Sequence, residues 1–258
     1  MLRESFQIKD LGSWAAVLMT VGLACSTALI GVSEFFVLLI FLGLLISEQE
    51  LRSDLAKIYK SPLVISCTAL FALISIRAVF SDPQHDAWSY VGKYRELLLL
   101  PMLLLFVDSW KWKKRVYYTF LVVMALVILH SCLQFFGVLE QLKHDQPNTS
   151  LVGRIAGAVM LAFACFAYLE ESLRFKRKNA PLLSASFLGL FLIGSVVLLF
   201  LFNGRTGLAI YCCLGLLYGW RFLGVKGAVV TCGASVLFVT AAVYSMPDVQ
   251  DRYLYTVN

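Results

Sequence analysis

Charged residues are scarce in this sequence, and their scarcity excludes an ordinary soluble domain. Asp, Glu, Lys and Arg make up 15% of the chain, against about 25% in soluble domains. Hydrophobic residues make up 60%, and the mean hydropathy is +0.80. The start of the chain lacks a signal-peptide cleavage pattern, so we expect the first apolar run to be a retained helix. The composition therefore predicts an integral membrane protein.

Motifs for disulfides, metals and common hydrolytic or nucleotide chemistry are also missing. The seven cysteines all lie inside apolar runs without a CxxC pair, which favours small buried or lipid-facing side chains. We find no HExxH, Walker or GxSxG pattern. We therefore expect no metal and no cofactor. A few His and Asp residues do lie in predicted loops, but their spacing matches no metal motif. They are His85, His144, Asp82, Asp86 and Asp145.

Apolar runs recur along the whole chain. A helix needs about 20 predominantly apolar residues to cross the hydrocarbon core. The second run is short enough to be re-entrant, and the fourth reaches full length only if its helix begins within residues 88–95. The pattern predicts an all-α, polytopic bundle of about nine spans that forms one transmembrane domain over residues 1–258. The runs are 13–32, 34–47, 62–80, 90–107, 116–136, 154–170, 182–202, 207–223 and 227–246.

Basic residues are divided unevenly between the two sides of these spans. With the N-terminus placed inside, 15 of the 22 Lys and Arg residues fall on the N-terminal side and seven on the other. Since short cytoplasmic loops carry the excess of Lys and Arg, this division predicts a cytoplasmic N-terminus. These residues flank spans, so they do not indicate nucleic-acid binding.

Five of the seven basic residues on the other, outer side differ from those on the N-terminal side, because they lie at the edges of spans. An arginine inside the bilayer costs about 2.5–3.5 kcal/mol on insertion scales, so it indicates a functional site by default. Arg205 is the sharpest case, since only Asn203-Gly204-Arg205-Thr206-Gly207 separates two apolar runs. A single arginine of this kind is explained equally well by a side chain that reaches to the headgroups.

Several such residues on different helices favour a binding site over this simpler explanation. Guanidinium groups bind phosphate bidentately, and donors on Asn203, Thr206 and the helix start at Gly207 would assist them. The sequence therefore predicts a site for an anionic group at the outer membrane boundary. The basic residues at that boundary are Arg77, Lys93, Arg95, Arg154 and Arg205.

Three short stretches carry a resemblance to a known family. They are WSYVGKYRELLLLP over 88–101, GRIAGAVMLAF over 153–163 and NGRTG over 203–207. The last resembles the Ser/Asn-x-Arg-Thr/Ala-Gly element of the O-antigen ligase and polymerase family of bacterial inner-membrane glycosyltransferases. The three stretches follow the family's order, and the resemblance covers most of the chain.

This resemblance implies transfer of a glycan from undecaprenyl diphosphate to an acceptor at the periplasmic face of the inner membrane. A ligase uses the lipid A-core of lipopolysaccharide as acceptor, and a polymerase uses another O-unit. Family members need no metal, and periplasmic arginines hold the diphosphate. The resemblance assigns no catalytic residue here, since Ala156-Gly157 stands where many relatives have a histidine. The corresponding diphosphate-binding residues are Arg205, Arg154, Arg95 and Lys93, with Asn203 and Thr206 as neutral donors.

The end of the chain departs from the family pattern. Relatives continue into a large periplasmic loop with a catalytic histidine and then into further spans. We therefore expect this chain to be the N-terminal portion of such an enzyme and inactive alone, with membrane lipids around it. The other hypotheses are an O-antigen polymerase, a protein O-oligosaccharyltransferase, a transporter of an anionic lipid or solute, and a non-catalytic scaffold.

Overall fold

A computed structural model describes residues 2–25, 27–47, 55–80, 91–92, 94–139, 154–202 and 205–245. These residues form helices and short turns and include no strand, so the all-α prediction is confirmed for this part of the chain. The chain divides into two compact units, Met1–Thr119 and Phe120–Asn258. The grouping of residues 1–258 into one transmembrane domain stays a prediction.

Five of the described helices are long and apolar enough to cross a membrane, which supports the prediction of a membrane protein. Two further apolar helices, Asp10–Leu23 and Glu96–Phe106, are shorter. The predicted total of about nine spans is not confirmed over the described residues. The five candidate spans are Ala28–Ile46, Pro62–Val79, Trp110–Phe135, Ala156–Arg177 and Pro181–Phe202.

The first unit opens with a hairpin of α1 (Leu2–Cys25) and α2 (Thr27–Ser47). A Cβ atom on Gly22 would lie 2.9 Å from the backbone nitrogen of Ile30, so the two backbones meet beside the turn. The first helix therefore ends at Cys25 and the second begins at Thr27, whereas the predicted first run continued to residue 32. The sequence hid this break because small residues such as Cys25 and Thr27 hardly interrupt a hydrophobic run. As a result α2 is long enough to span, and the prediction that the second run is short is wrong.

The predicted span 90–107 is shorter in the structure. After α3 (Pro62–Val79), the chain forms a 3₁₀ helix over Arg95–Leu99 and then α4 (Leu100–Phe106). Pro101 lies in the first turn of α4. Proline lacks a backbone N–H and clashes with the preceding turn, which disfavours a regular α-helix that runs through this position from residue 95.

The core of the first unit lies where α4 meets α1 and α2. Phe106 covers the face of α1 at Gly12, which leaves no room for a side chain there. The hydroxyl of Ser13 donates to the carbonyl oxygen of Phe106 at 2.7 Å. The next helix, α5 (Trp110–Phe135), begins six residues before the predicted run at 116. The buried core residues are Ala15, Val37, Phe41, Leu44, Leu55, Leu105 and Phe106.

The second unit contains α6 (Arg154–Arg177) and α7 (Pro181–Val196), joined by a short turn. Asn179 adopts φ 55°, a left-handed conformation that asparagine tolerates after a helix. Proline at the start of α7 suits a first turn, where no backbone donor is needed. Ser172 and Ser184 each donate a hydroxyl hydrogen bond to the other's carbonyl oxygen, at 2.8 and 2.9 Å, which joins the two helices.

A π-helical turn over Val197–Phe202 extends α7, and α8 (Arg205–Ser245) follows. Gly224 breaks α8 with φ 64° and ψ −149°, a conformation open to glycine but strained for other residues. A Cβ atom on Gly219 would lie 2.7 Å from the carbonyl oxygen of Gly227, so the chain folds back on itself. The two arms of α8 correspond to the predicted runs 207–223 and 227–246.

Candidate functional site

The predicted anion-binding residues are only partly described by the structure. Lys93 and Asn203 lie outside the described residues, as do the polar loop residues between 81 and 90 and between 140 and 153. For Arg95, Arg154 and Arg205 the structure gives the position in a helix and not the side chain. Thr206 is exposed in the first turn of α8.

In the second unit, two of the predicted arginines open neighbouring helices. Arg154 is the first residue of α6, and Arg205 is the first residue of α8. The first turn of α8 touches the second turn of α6, because a Cβ atom on Gly207 would lie 2.8 Å from the carbonyl carbon of Ala158. Two helix N-termini and two arginine positions therefore lie at one end of this unit.

The helices α6 and α8 also run in the same direction from this end. Gly215 lies near the ring of Phe166, and the hydroxyl of Tyr218 donates to the carboxylate of Glu170. Contacts along α8 therefore advance in step with contacts along α6. Since each helix N-terminus carries a partial positive charge, two parallel ends side by side favour an anion more than one does.

The remaining predicted arginines with a described backbone lie in the first unit. Arg95 opens the 3₁₀ helix, and Arg77 is exposed in the last turn of α3. The 3₁₀ helix packs against α3. The structure thus places the predicted arginines as one pair in each unit.

A long apolar groove occupies the second unit between α6, α7 and α8. Its volume is about 550 Å³, within the usual range of about 300–1,000 Å³ for ligand cavities. Aliphatic and aromatic side chains form nearly all of its walls. The lining residues are Phe166, Leu169, Leu173, Phe191, Leu192, Ser195, Val196, Leu199, Leu208, Tyr211, Cys212, Gly215, Tyr218, Gly219, Phe222 and Thr231.

Aromatic rings form the middle of the groove. The ring centroid of Phe166 lies 5.1 Å from that of Tyr211 and 5.4 Å from that of Tyr218. The hydroxyls of Ser195 and Tyr211 share a hydrogen bond of 2.8 Å. Tyr218 is bonded to Glu170. Because these polar atoms bond to one another, the groove offers an apolar surface to its contents.

The groove begins beside the paired helix starts and leads away from them. Leu208 lies one turn after Arg205, and Leu199 lies in the π-helical turn just before it. From Leu208 to Phe222 the groove follows α8 for about 21 Å at the helical rise per residue. The second unit therefore combines a positively polarised end with a long apolar groove. This combination fits an amphiphile with an anionic head.

The sequence interpretation missed this groove, although α8 carries a signal for it. Tyr211, Tyr218 and Phe222 follow one another at spacings of seven and four residues, which places three aromatic rings on one helix face. Such a stripe also occurs in ordinary packing cores, so the signal alone does not separate a groove from a core. Over the described residues no group of three or more His, Cys, Asp or Glu side chains could hold a metal ion.

Comparison with known proteins found no match. No protein-family model, no curated protein and no solved structure is similar to this chain at a significant level. The resemblance to the O-antigen ligase and polymerase family therefore stays a prediction from the three quoted stretches.

Proposed function

We propose that the chain belongs to a glycosyltransferase of the O-antigen ligase type. It would transfer a glycan from undecaprenyl diphosphate to the lipid A-core at the periplasmic face of the bacterial inner membrane. The observation that supports this proposal is the arrangement in the second unit. There, the helix starts at Arg154 and Arg205 touch at the entrance of the apolar groove.

Each part of this arrangement suits one part of the proposed donor. The paired helix ends and the arginines at their first positions would hold the diphosphate, and the groove would hold part of the polyprenyl chain. During transfer, the bond between the sugar C1 and the diphosphate oxygen breaks, and the acceptor hydroxyl oxygen forms the new bond to C1. Positive groups fixed near the departing diphosphate stabilise the charge that develops on it without a metal.

The same geometry serves an O-antigen polymerase, because a polymerase uses the same kind of donor. The two functions differ in the acceptor and not in the donor. The proton of the acceptor hydroxyl needs a base, and none of the described residues is assigned to this role.

Lipopolysaccharide from a strain that lacks the gene tests the proposal. A ligase predicts the loss of all glycan capping on the lipid A-core, because no other step joins the two. A polymerase predicts core capped with single units. Core that stays fully capped with long chains would contradict both functions. Restoration by the wild-type gene, but not by Arg205→Lys, would connect the phenotype to the proposed diphosphate site.

A further inference from the structure

The first two turns of α5 carry a cluster of positive charge, which we call the basic cluster: Lys111, Lys113, Lys114 and Arg115. The three lysines are exposed. Trp110 precedes them and is 71% exposed, and the ammonium of Lys114 lies 5.4 Å from the centre of its ring. An exposed indole beside several ammonium groups is typical of a membrane interface.

The fourth member of the basic cluster is held in place by aromatic rings. The guanidinium of Arg115 lies 4.5 Å from the ring centre of Trp112 and 5.2 Å from that of Trp14. The indole N–H of Trp112 donates to Asp10 at 3.0 Å. A guanidinium stacked on rings keeps N–H donors at its edge for oxygen acceptors.

Helix stability does not explain the position of the basic cluster. Positive charge at a helix N-terminus opposes the helix dipole and therefore destabilises the helix start. The first turn of α5 contains no acidic residue to offset it. Among the side chains that the structure describes, the neighbouring carboxylates are Asp108, which is exposed, and Asp10, which accepts the hydrogen bond from Trp112.

The length of α5 places the basic cluster at the level of lipid headgroups. Its 26 residues extend about 39 Å, whereas the hydrocarbon core is about 30 Å thick. About two turns of a helix that lies along the bilayer normal therefore extend beyond the hydrocarbon. The apolar run begins at residue 116, so these are the turns that carry the basic cluster.

We propose that the basic cluster is a binding site for the headgroup of an anionic glycerophospholipid. The lysine ammonium groups and the edge of Arg115 contact the phosphate oxygens, and Trp110 lies at the level of the glycerol backbone. The bound phosphate offsets the unfavourable charge at the helix start. This site is separate from the proposed diphosphate site and does not depend on it.

Fluorescence quenching by brominated lipids tests this site with the full chain in bilayers. Phosphatidylcholine is replaced stepwise by dibrominated phosphatidylglycerol or by dibrominated phosphatidylcholine. The triple variant Lys111→Gln/Lys113→Gln/Lys114→Gln keeps all five tryptophans. The matched control is Lys176→Gln/Arg177→Gln/Lys178→Gln, which removes three exposed charges at the end of α6, where a helix dipole favours them.

We expect the wild type and the control to prefer phosphatidylglycerol, and the triple variant to lose that preference by about fivefold for each lysine removed. Equal quenching of the wild type by both lipids would contradict the proposal. So would equal losses in both variants, because a general charge effect would then explain the preference. Displacement of the lipid by millimolar inorganic phosphate would show a site for free phosphate and would also contradict it.

Discussion

Glycine at two positions decides how closely helices in this protein approach one another. Gly22 brings α1 against α2, and Gly207 brings the start of α8 against α6. The sequence shows both glycines but not their partners, because Ile30 and Ala158 meet them only after folding. The arginines were predictable for a different reason: a charged residue at the edge of an apolar run is conspicuous in the sequence itself.

Replacement of Gly207 tests the contact between the helix starts. We expect Gly207→Ala to lower the midpoint of thermal unfolding in detergent, because overpacking against Ala158 costs about 1–3 kcal/mol. The matched control is Gly189→Ala on α7, where a Cβ atom meets nothing within 4 Å. That control should unfold at the same or a slightly higher temperature, since alanine favours a helix by about 0.5–1 kcal/mol over glycine. Equal behaviour of the two variants would show that the helix starts do not touch.

At the scale of helices, two apolar runs with polar borders were predicted closely, whereas α5 begins six residues before its predicted run and α6 continues past its predicted end. The runs 62–80 and 182–202 match Pro62–Val79 and Pro181–Phe202 closely. The prediction from sequence failed where the residues at a break are apolar or small, as between Cys25 and Thr27 and at Pro101. A hydropathy pattern records polarity and not backbone geometry, so it does not predict a helix break at small residues. The groove was missed for the same reason, because its walls are as apolar as a core.

A distance measurement tests the reversal of α8 at Gly224. Spin labels on Cys213 and on a Gly233→Cys variant, with the other cysteines replaced by serine, should lie within about 20 Å, because packed helix axes are about 8–10 Å apart. An unbroken helix would separate them by about 30 Å. Labels at Thr206 and Leu217 lie on one arm and should give about 16 Å in either case. A distance near 30 Å for the first pair would contradict the hairpin.

A bulky substitution tests whether the groove holds a hydrocarbon chain. Leu169→Trp fills the wall well away from the helix starts, whereas Phe163→Trp places the same side chain on an exposed position of α6 outside the groove. We expect Leu169→Trp to weaken undecaprenyl diphosphate binding about tenfold, since it displaces buried methylenes. Binding of the shorter farnesyl diphosphate should stay unchanged in titration calorimetry. Equal loss for both lipids, or for both variants, would argue against a chain in this groove.

At the scale of the whole molecule, composition predicted a membrane protein and the apolar runs predicted an all-α fold, and the described residues support both. The division into two units was not visible in the sequence, because α5 carries the chain from one to the other without a polar linker. The predicted arginine group falls into one pair per unit, which the sequence did not show, because charge bias assigns residues to a side of the membrane and not to neighbouring helices. The predicted cytoplasmic N-terminus and inner-membrane location stay predictions.

The most direct test of the central proposal is the affinity of the purified full chain for undecaprenyl diphosphate. We predict that Arg205→Lys and Arg154→Lys each weaken binding about tenfold or more, because lysine keeps the charge but loses the bidentate contact. Arg177→Lys, at the opposite end of α6, should bind like the wild type. Unchanged affinity in both of the first two variants would contradict the assignment of the paired helix starts to the diphosphate.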